Sequence, residues 1–508
     1  MLVSEAVGET LAQLGASTVF GLVGSGNFHV TNALVSRGCR FIAARHEGGA
    51  ACMADGWARA TGRVGLLSVH QGPGLTNALT GITEAAKNRT PLLVLAADAP
   101  GAAVRSNFRI DVAALASSVG AVAERLHSPR SATADAERAY RTAERQRRTV
   151  VLAMPLDVQA AHCDAPVLSP APPLLPAAAS AAAAAGLAEA LLSAARPVFV
   201  AGWGARVAGA RAELERLADA CGALLSTSAA AKGLFRGSPW DLDVSGGFAS
   251  PLAAELITGA DLIVGWGCSL NMWTTRHGRL IGPSARVAQV DDDVQAIGAY
   301  QPVDVGVLGD VRETAGAALR ALGGRAVPGY RSAELRDRIA RELRWRDVPY
   351  DDEGRPGADG GWIDPRTLTI ALDDILPAER VVGIDSGNFM GYPSMFLSVP
   401  DENGFCFTQA YQSIGLGLAS TIGAAIAQPD RLAVAALGDG GALMGVSEIE
   451  TVVRLRLPMV IVVYDDEAYG AEVHHFGPDG HPVDIARFPP ADIAAIGRGF
   501  GCAGVTVR

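Results

Sequence analysis

Two acidic turns in the last third of the sequence each follow an apolar segment. Gly438-Asp439-Gly440-Gly441 follows residues 431–437, and Asp465-Asp466 follows residues 459–464. If the two segments are parallel strands joined by a helix, their carboxyl ends lie at one sheet edge, about 4.8 Å apart. Two carboxylates that close repel unless a cation lies between them, and Mg²⁺ prefers carboxylate and phosphate oxygens. The glycines let backbone N–H groups approach a diphosphate, so this pattern predicts a metal–diphosphate site.

The segment between the two predicted strands has the spacing of a helix with one buried face. Val446, Ile449, Val452 and Val453 fall at positions i, i+3, i+6 and i+7. A Gly-Asp-Gly sequence by itself is equally typical of an ordinary turn, so the predicted metal site depends on the second acidic pair.

These two turns resemble the metal-binding motif of thiamine diphosphate enzymes, which combines a GDG turn with an NN-type pair about one βαβ unit later. Asp439 and Asp466 are 27 positions apart, which is the spacing of that family. The resemblance implies that both side chains and the carbonyl oxygen of Ala468 bind Mg²⁺ beside thiamine diphosphate. The family usually has Asn where this chain has Asp466, so the additional negative charge is expected to change the affinity and preference for the metal.

A second stretch of sequence contains a candidate catalytic carboxylate. Glu47 follows an apolar segment and begins a helical one, where a glutamate often does no more than complement the helix dipole. The surrounding RHEGGAACMADGWARATG resembles the long HE block of the same family. This resemblance implies that Glu47 hydrogen-bonds N1′ of the aminopyrimidine ring, which favours the imino tautomer that removes the thiazolium C2 proton.

The sequence GPGLTN resembles the family's GPG-x-x-N turn, which implies that Gly72, Pro73 and Asn77 border the cofactor; its alternative interpretation is a plain strand-to-helix connection. His70 precedes this turn, where acetolactate synthases usually have a small hydroxyl residue and benzoylformate decarboxylases have a histidine. The same decarboxylases have a serine in their first glycine-rich turn, which matches Ser25 here. A histidine that titrates near neutral pH can protonate or deprotonate a reaction intermediate.

Four more polar residues complete the catalytic candidates. His29 follows Ser25 by four residues, and a polar surface residue is its alternative interpretation. Glu472 lies in a segment that resembles the Y-T-I-E-V segment of pyruvate decarboxylase-like enzymes, which implies a catalytic glutamate. His474 and His475 are expected on a loop over the cofactor, where they could act as acid or base, although a solvated loop is an open alternative.

The remaining cofactor-binding candidates lie near the C-terminus. Asp385-Ser386-Gly387-Asn388 follows a predicted strand and resembles the family's first diphosphate-contact turn. Ile414 matches the bulky residue that gives the cofactor its V shape, although ordinary core packing also explains an apolar side chain there. The resemblance implies this set: Ser386, Gly387, Asn388, Ser413, Ile414, Gly438, Gly440, Gly441, Ala442 and Tyr469.

The composition indicates a globular protein of several domains. The chain has 508 residues, of which 49% are hydrophobic and 19% are charged, and its net charge is −10. These values give no reason to expect nucleic acid or an acidic membrane surface as a partner. Seven scattered cysteines without metal-binding spacing favour reduced thiols and a cytoplasmic protein. No apolar run reaches the length of a membrane span, and the acidic N-terminus does not look like a signal peptide.

Apolar segments that alternate with helical patterns predict an α/β protein with three parallel sheets. By the resemblance, residues 1–165 form a pyrimidine-binding domain, 187–322 a central Rossmann-like domain and 362–508 a diphosphate-binding domain. We interpret 165–186 and 323–361 as linkers, and the Ala-rich end of the first one is expected to begin a helix.

Individual elements were assigned from apolar runs and helical spacing. The expected strands are 18–23, 40–45, 64–70, 91–97, 197–201, 223–227, 262–266, 287–290 and 381–384, and the expected helices are 48–61, 75–88 and 333–345. Residues 504–508 are expected in or just after a strand. Family members usually continue for another helix and strand, so the chain is expected to be truncated at Arg508.

The layout of three units resembles the thiamine diphosphate decarboxylase and acetolactate synthase family over essentially the whole chain. It implies decarboxylation of a 2-oxo acid, most like the acetolactate synthase large subunit, which converts two pyruvates to acetolactate and CO₂. Ser25, His70 and Glu472 leave open a simple 2-oxo acid decarboxylase or a benzaldehyde-lyase-like carboligase, and a non-catalytic cofactor-binding homologue is a third alternative.

The resemblance also implies partners. Because the family forms its active site between two chains, a homodimer or a homotetramer is expected, with a small 2-oxo acid as substrate. The central domain holds FAD in acetolactate synthases, but Gly202-Trp203-Gly204 lacks the spacing of a dinucleotide-binding turn, so FAD is left open.

Overall fold

A computed structural model describes residues 1–166, 168, 172, 174–355 and 361–508. The chain forms two compact units. The first unit contains Met1–Ala171, Val381–Met390 and Thr408–Val507, and the second contains Pro172–Arg380, Gly391–Phe407 and Arg508. Most of the first and last predicted domains therefore belong to one unit, and the predicted three-domain boundaries stay a prediction.

The N-terminal part of the first unit alternates helices with parallel strands. Its elements are α1 Val3–Gln13, β1 Thr18–Gly21, α2 Phe28–Ser36, β2 Arg40–Ala43, α3 Glu47–Thr61, β3 Gly65–Val69, α4 Pro73–Lys87, β4 Leu92–Asp98, α5 Val112–Ser118, β5 Val122–Arg125, α6 Ala132–Gln146, β6 Thr149–Pro155 and α7 Leu156–Gln159. The strand order is β2-β1-β3-β4-β6-β5, and every neighbouring pair is parallel. Every residue of β3, β4 and β6 is buried, as expected for a parallel sheet covered on both faces.

The second unit has its own parallel sheet in the order β12-β11-β10-β7-β8-β9. Its elements up to residue 375 are α8 Ala181–Ser193, β7 Pro197–Ala201, α9 Trp203–Val207, α10 Arg211–Cys221, β8 Leu224–Thr227, β9 Asp241–Val244, α11 Pro251–Thr258, β10 Leu262–Trp266, β11 Arg286–Asp291, β12 Val305–Leu308, α12 Val311–Leu322, α13 Ala333–Glu342 and α14 Pro365–Ile375. Short 3₁₀ helices span Ala229–Ala231, Gly246–Phe248 and Trp345–Asp347.

The rest of the chain supplies a third sheet, in which β13, β15 and β16 lie side by side within the first unit. The elements are β13 Arg380–Ile384, α15 Gly391–Phe396, β14 Phe405–Phe407, α16 Gly417–Ala427, β15 Leu432–Gly438, α17 Asp439–Met444, α18 Ile449–Leu455, β16 Met459–Tyr464, α19 Gly470–Phe476 and α20 Ile493–Phe500. Short 3₁₀ helices span Asn388–Met390, Val446–Glu448 and Asp484–Ala486. The predicted α/β class with three parallel sheets is confirmed.

The sequence missed five strands, mainly at sheet edges. Edge strands β5 and β12 alternate partly buried or buried residues with exposed ones, and β9 contains two aspartates, so none has a continuous apolar run. The three-residue β14 is too short for any periodic signal. β6 is fully buried and its apolar run could have been recognised.

Two predicted elements are wrong. The helix expected between β15 and β16 is divided into α17, a 3₁₀ turn and α18, and Val453 on its supposedly buried face is 36% exposed. Residues 504–508, which are all within the described part, contain no strand. The 3₁₀ turn Val446–Glu448 separates two helices of only six and seven residues, so no single helical face runs through this segment.

The two predicted linkers differ in how they fold. The Ala-rich helix begins at Ala181 as predicted, with the Ser180 side chain accepting the Ala183 N–H at 3.2 Å, while part of the Pro-rich segment lies outside the described residues. In the second segment α13 is confirmed, and it packs on the second unit through buried Ile339 and a bidentate Arg338–Glu255 ion pair. Residues 356–360 lie outside the described part. No described helix is both long and apolar enough to cross a membrane.

Helices α3 and α16 pack closely inside the first unit, and glycines allow this approach. A Cβ on Gly56 would lie 2.2 Å from the carbonyl oxygen of Ser420, and one on Gly423 would lie 2.0 Å from that of Met53. Both distances are far below any real contact. The two backbones therefore touch directly, which holds the helix that begins at Glu47 against the third sheet's helix.

We predict that Gly56→Ala destabilises the protein by about 1–3 kcal/mol, because overpacking would push α3 away from α16. Gly186→Ala is the matched control, since Gly186 lies within α8 and its Cβ would meet open space. The control should be stabilised by up to about 1 kcal/mol through helix propensity. Urea unfolding of both variants measures the difference, and equal stability changes would contradict the packing account.

Candidate active site

Glu47 is the first residue of α3 and lies beside the GPG-x-x-N turn, which the sequence predicts to border the cofactor. His46 caps the helix, since its Nδ1 accepts the Gly48 N–H at 3.0 Å. The Asn77 side chain, from α4, donates a hydrogen bond to Oε2 of Glu47 at 3.0 Å. The structure thus joins the HE block to the GPG-x-x-N turn, and Asn77 fixes the orientation of the carboxylate.

His70 lies at the carboxyl end of β3 against the first glycine-rich turn. Its Nδ1 accepts the Gly26 N–H at 3.1 Å. A Cβ on Gly24 or Gly26 would come within 2.9 Å of the imidazole, so only glycines permit this approach. The structure therefore brings the turn containing Ser25 against His70, with Ser25 itself exposed.

Two residues that support His70 were not found in the sequence. Phe108 packs edge-on against the imidazole, with ring centroids 5.3 Å apart. Asn27 is 1% exposed, accepts the Gly24 N–H at 2.8 Å and donates to Ser68 Oγ at 3.0 Å. Phe108 lies in a loop with no motif, whereas Asn27 directly follows the glycine turn and could have been suspected. His29 is exposed and contacts the ring of Phe28, and no hydrogen bond within the described residues joins it to His70.

The predicted metal carboxylates follow two adjacent parallel strands. Gly438 at the end of β15 pairs with Tyr464 at the end of β16, so Asp439 and Asp466 leave the same sheet edge. Burial raises the pKa of Asp439 to about 6; the Gly440 N–H opposes this rise, and the charge of Asp466 adds to it. Burial likewise raises the pKa of Asp466. Two partly desolvated carboxylates that destabilise each other's charge make a site that a cation would stabilise.

The loop after β16 is held by backbone pairing. Tyr469 N–H donates to Ala486 O at 2.8 Å, and Phe488 N–H donates to Glu467 O at 2.8 Å. The two hydrogen bonds of the antiparallel Ala468–Arg487 bridge are therefore made by the residues on either side of this pair. The carbonyl oxygen of Ala468 takes no part in them. No described group of three or more His, Cys, Asp or Glu side chains could hold a metal, so a metal here would need that carbonyl or ligand oxygens in addition to the two carboxylates.

Asp385 connects three predicted cofactor-binding turns, whereas the sequence identified it only as the first residue of one of them. This carboxylate is 1% exposed and accepts N–H bonds from Ser386 at 2.8 Å and Gly415 at 2.8 Å. A Cβ on Gly441 would lie 2.1 Å from its Oδ2, so the first turn of α17 packs directly against the same carboxylate. Burial raises the pKa of Asp385 to about 6, against the opposing effect of these N–H bonds. Asp385 therefore holds the turn of Ile414 and the start of α17 together.

Aromatic rings pack against several of the other cofactor candidates. Phe389 stacks on Tyr464 with centroids 5.4 Å apart, and Cβ atoms on Gly387 and Gly438 would lie 3.1 and 3.0 Å from its ring. The Tyr469 ring lies 3.3 Å from an ideal Cβ on Gly440. The structure places these candidates in the first unit, on turns, at the end of β15 or within short helices: Ser386, Gly387, Asn388, Ser413, Ile414, Gly438, Gly440, Gly441, Ala442 and Tyr469.

Glu472, His474 and His475 lie on helix α19, and the predicted loop is therefore wrong. The helix starts at Gly470, where a Cβ would lie 2.0 Å from Asp466 Oδ2, so the turn that contains Asp466 leads directly into a helix. All three side chains are exposed. Burial raises the pKa of Asp466, and the interaction with His474 opposes this rise. Within the described residues, no hydrogen bond or ion pair joins the three to Glu47 or His70.

The central glycine turn gives no cofactor site. Gly204 N–H donates to Gly267 O at 3.0 Å, and a Cβ on Gly202 would lie 2.3 Å from the same oxygen. The backbones of the two turns at the carboxyl ends of β7 and β10 are therefore in direct contact, and nothing in the described part of the chain supports FAD.

Three family models match the chain. Their descriptions are "Thiamine pyrophosphate enzyme, N-terminal TPP binding domain" over residues 1–115, "central domain" over 184–322 and "C-terminal TPP binding domain" over 385–508. The chain is 31% identical to sulfoacetaldehyde acetyltransferase of Rhodobacter capsulatus, over 93% of this chain and 83% of that protein. It is 30% identical to a probable 2-ketoarginine decarboxylase of Pseudomonas aeruginosa, over 98% and 88% of the two chains. A probable acetolactate synthase large subunit of Methanocaldococcus jannaschii is 26% identical, over 92% and 80%.

We predict that Asp466→Asn weakens the pH dependence of metal binding. In the wild type, protons compete with Mg²⁺ for Asp439, whose pKa is about 6, so affinity should rise as pH increases through that value. Removing the charge of Asp466 lowers the pKa of Asp439 toward its ordinary value of 3.8, so the rise should shift to lower pH. Calorimetric titration of Mg²⁺ with thiamine diphosphate at pH 5.5 and 7.5 measures this shift, which should be only part of the rise from 3.8 to about 6 because burial is its larger cause.

Asp479→Asn serves as the control, since Asp479 is an exposed carboxylate elsewhere in the same region. It should retain the wild-type dependence. An Asp466→Asn variant with the wild-type dependence would contradict the electrostatic coupling between Asp439 and Asp466.

Proposed function

Because the chain belongs to the thiamine pyrophosphate enzyme family, we propose that it binds thiamine diphosphate and Mg²⁺ and decarboxylates a 2-oxo acid. The residues present suit both groups. Asp439 and Asp466 are two partly buried carboxylates whose negative charges a cation would compensate. Gly441 packs so closely on Asp385 that any side chain at this position would fill the space beside the diphosphate-contact turns. Asp439, Asp466 and the carbonyl of Ala468 would hold the metal, and the turns of Ser386 and Gly440 would face the diphosphate.

Glu47 is the proposed proton-holding group on the cofactor's pyrimidine side. When bound, thiamine diphosphate supplies a nucleophilic carbon and an electron sink for the pair left behind by CO₂. Glu47 would hold a proton at N1′ of the pyrimidine, and Asn77 would keep its carboxylate directed there. An oriented carboxyl group of this kind contributes typically 10²–10⁴-fold to a rate.

The proposal that the protein is a decarboxylase depends on the hydrogen bond between Gly26 and His70. Because Nδ1 accepts that bond, the neutral imidazole carries its proton on Nε2, which is then available as a donor. Phe108 and the two glycines fix the plane of the ring, so the donor has a defined direction. A fixed proton donor suits the step that ends decarboxylation, the protonation of carbon before an aldehyde is released.

Transfer of the two-carbon unit to an acceptor is the second candidate. The relatives that cover most of this chain include proteins named as an acetyltransferase and as an acetolactate synthase, and the latter was the leading interpretation of the sequence. In this case, the second carbonyl compound would take the place of the proton from His70. Glu472, His474 and His475 are proposed as further acid or base groups on the exposed face of α19.

A homodimer or homotetramer is the proposed assembly, since the family's sites are expected between chains. A non-catalytic homologue is the remaining alternative. The paired Glu47 and Asn77 argue against it, because a protein without turnover has no need of an oriented carboxylate there.

We predict that Glu47→Gln lowers turnover by about 10²–10⁴-fold, because the amide cannot supply the proton at N1′. Its binding of thiamine diphosphate should change far less, since the diphosphate and metal contacts are untouched. Steady-state kinetics and a calorimetric titration measure the two effects. Glu137→Gln, on the surface of α6, is the control and should retain full activity. Full turnover of Glu47→Gln would refute the assignment.

We predict that His70→Ala shifts the products away from the aldehyde. With pyruvate and a panel of aromatic, branched and guanidino 2-oxo acids, NMR distinguishes aldehyde, acetolactate or acetoin, and transfer products. The variant should lose aldehyde release by at least about tenfold, while CO₂ release with an added acceptor falls less. An unchanged aldehyde rate in the variant would remove His70 from the proposal and favour transfer.

A further inference from the structure

Glu448 is a buried carboxylate that no part of the proposed chemistry uses. It ends the 3₁₀ turn Val446–Glu448 and is only 2% exposed. Its Oε2 accepts the hydroxyl of Thr451 at 2.7 Å. A carboxylate is rarely buried this deeply unless hydrogen bonds compensate the cost of its desolvation.

Those bonds come from the backbone just before Glu47. Oε1 of Glu448 accepts the Arg45 N–H at 3.0 Å and the His46 N–H at 3.1 Å. These amides lie between the end of β2 at Ala43 and the start of α3, where neither strand nor helix supplies an acceptor. Glu448 is the acceptor that fixes this turn, about 400 residues away in the sequence.

Glu448 approaches helix α3 so closely that α3 needs a glycine at the position facing the carboxylate. A Cβ on Gly49 would lie 2.4 Å from Oε1 of Glu448, so only glycine leaves room for the carboxylate. The side chain of Arg45 turns outward and pairs with Glu450 at 2.6 Å, on the exposed side of the same contact. The buried bond therefore acts on the backbone, and the exposed ion pair acts on a side chain.

We propose that Glu448 is a positioning residue that holds the Arg45–His46 backbone and thereby sets the direction of the Glu47 carboxylate. The inference rests on the proposed function of Glu47. Asp439 and Glu448 belong to one continuous segment that follows β15, so the segment that carries the metal carboxylate also anchors the catalytic one. A shift of this segment would move both groups together.

Hydrogen exchange of the cofactor-free protein tests the anchor without any turnover. Glu448→Asp keeps the charge but withdraws the acceptor by one methylene, and Glu448→Gln keeps an acceptor oxygen but removes the charge. The Arg45 and His46 amides should exchange at least about tenfold faster in Glu448→Asp and within about threefold of wild type in Glu448→Gln. Glu450→Gln, which weakens only the exposed ion pairs of Glu450 with Arg45 and Arg454, is the matched control and should leave both amides protected.

Exchange of the thiamine diphosphate C2 proton for deuterium, followed by NMR after acid quench, tests the effect on Glu47. Glu448→Asp should exchange at least about tenfold more slowly than wild type, with Glu448→Gln and Glu450→Gln close to wild type. A Glu448→Asp variant that keeps the amides protected, or that loses their protection yet exchanges C2 normally, overturns the proposal. If the wild type binds no cofactor, the proposed function fails, and the amide measurement still decides the anchor.

Discussion

The direct backbone contact between α3 and α16 is the constraint on which the first unit depends. Gly56 and Gly423 remove the two side chains that would separate the helices, so each helix meets a carbonyl oxygen of the other. Close packing of this kind leaves no freedom for the helix to slide. Because Glu47 is the first residue of α3, its position is set by a contact two turns away and by the Glu448 carboxylate at its own end.

Buried carboxylates connect segments that are distant in sequence. Glu84, which is 1% exposed, accepts the side chain of Arg59 at 2.8 Å and the N–H of Tyr411 at 2.6 Å. Asp385 and Glu448 make comparable bonds to backbone amides. Each acid satisfies N–H groups of an irregular turn that has no secondary-structure partner, which explains why polar groups are retained inside this core. The Asp439–Asp466 pair differs from these three acids, because the two negative charges repel each other.

The sequence predicted those site residues that belong to contiguous motifs. Asp439, Glu47 and the GPG turn were identified because a short pattern of types and spacing carries each of them, and the family comparisons confirm the resemblance. The roles of Phe108 and Asp385 were not assigned, because they come from contacts made across the fold. The helix at Gly470–Phe476 was missed since it has only two turns and begins directly after the metal loop. Edge strands such as β12 lacked a signal because solvent covers half of their residues.

The central claim is that this chain carries both a pyrimidine-side carboxylate and a metal–diphosphate site for thiamine diphosphate. Calorimetric titration of the purified wild-type protein with thiamine diphosphate, with Mg²⁺ and then with EDTA in its place, tests it most directly. The account predicts one cofactor per chain in the presence of Mg²⁺ and a large loss of affinity in EDTA. Absence of binding in Mg²⁺, or equal affinity in EDTA, would contradict the assignment of Asp439 and Asp466.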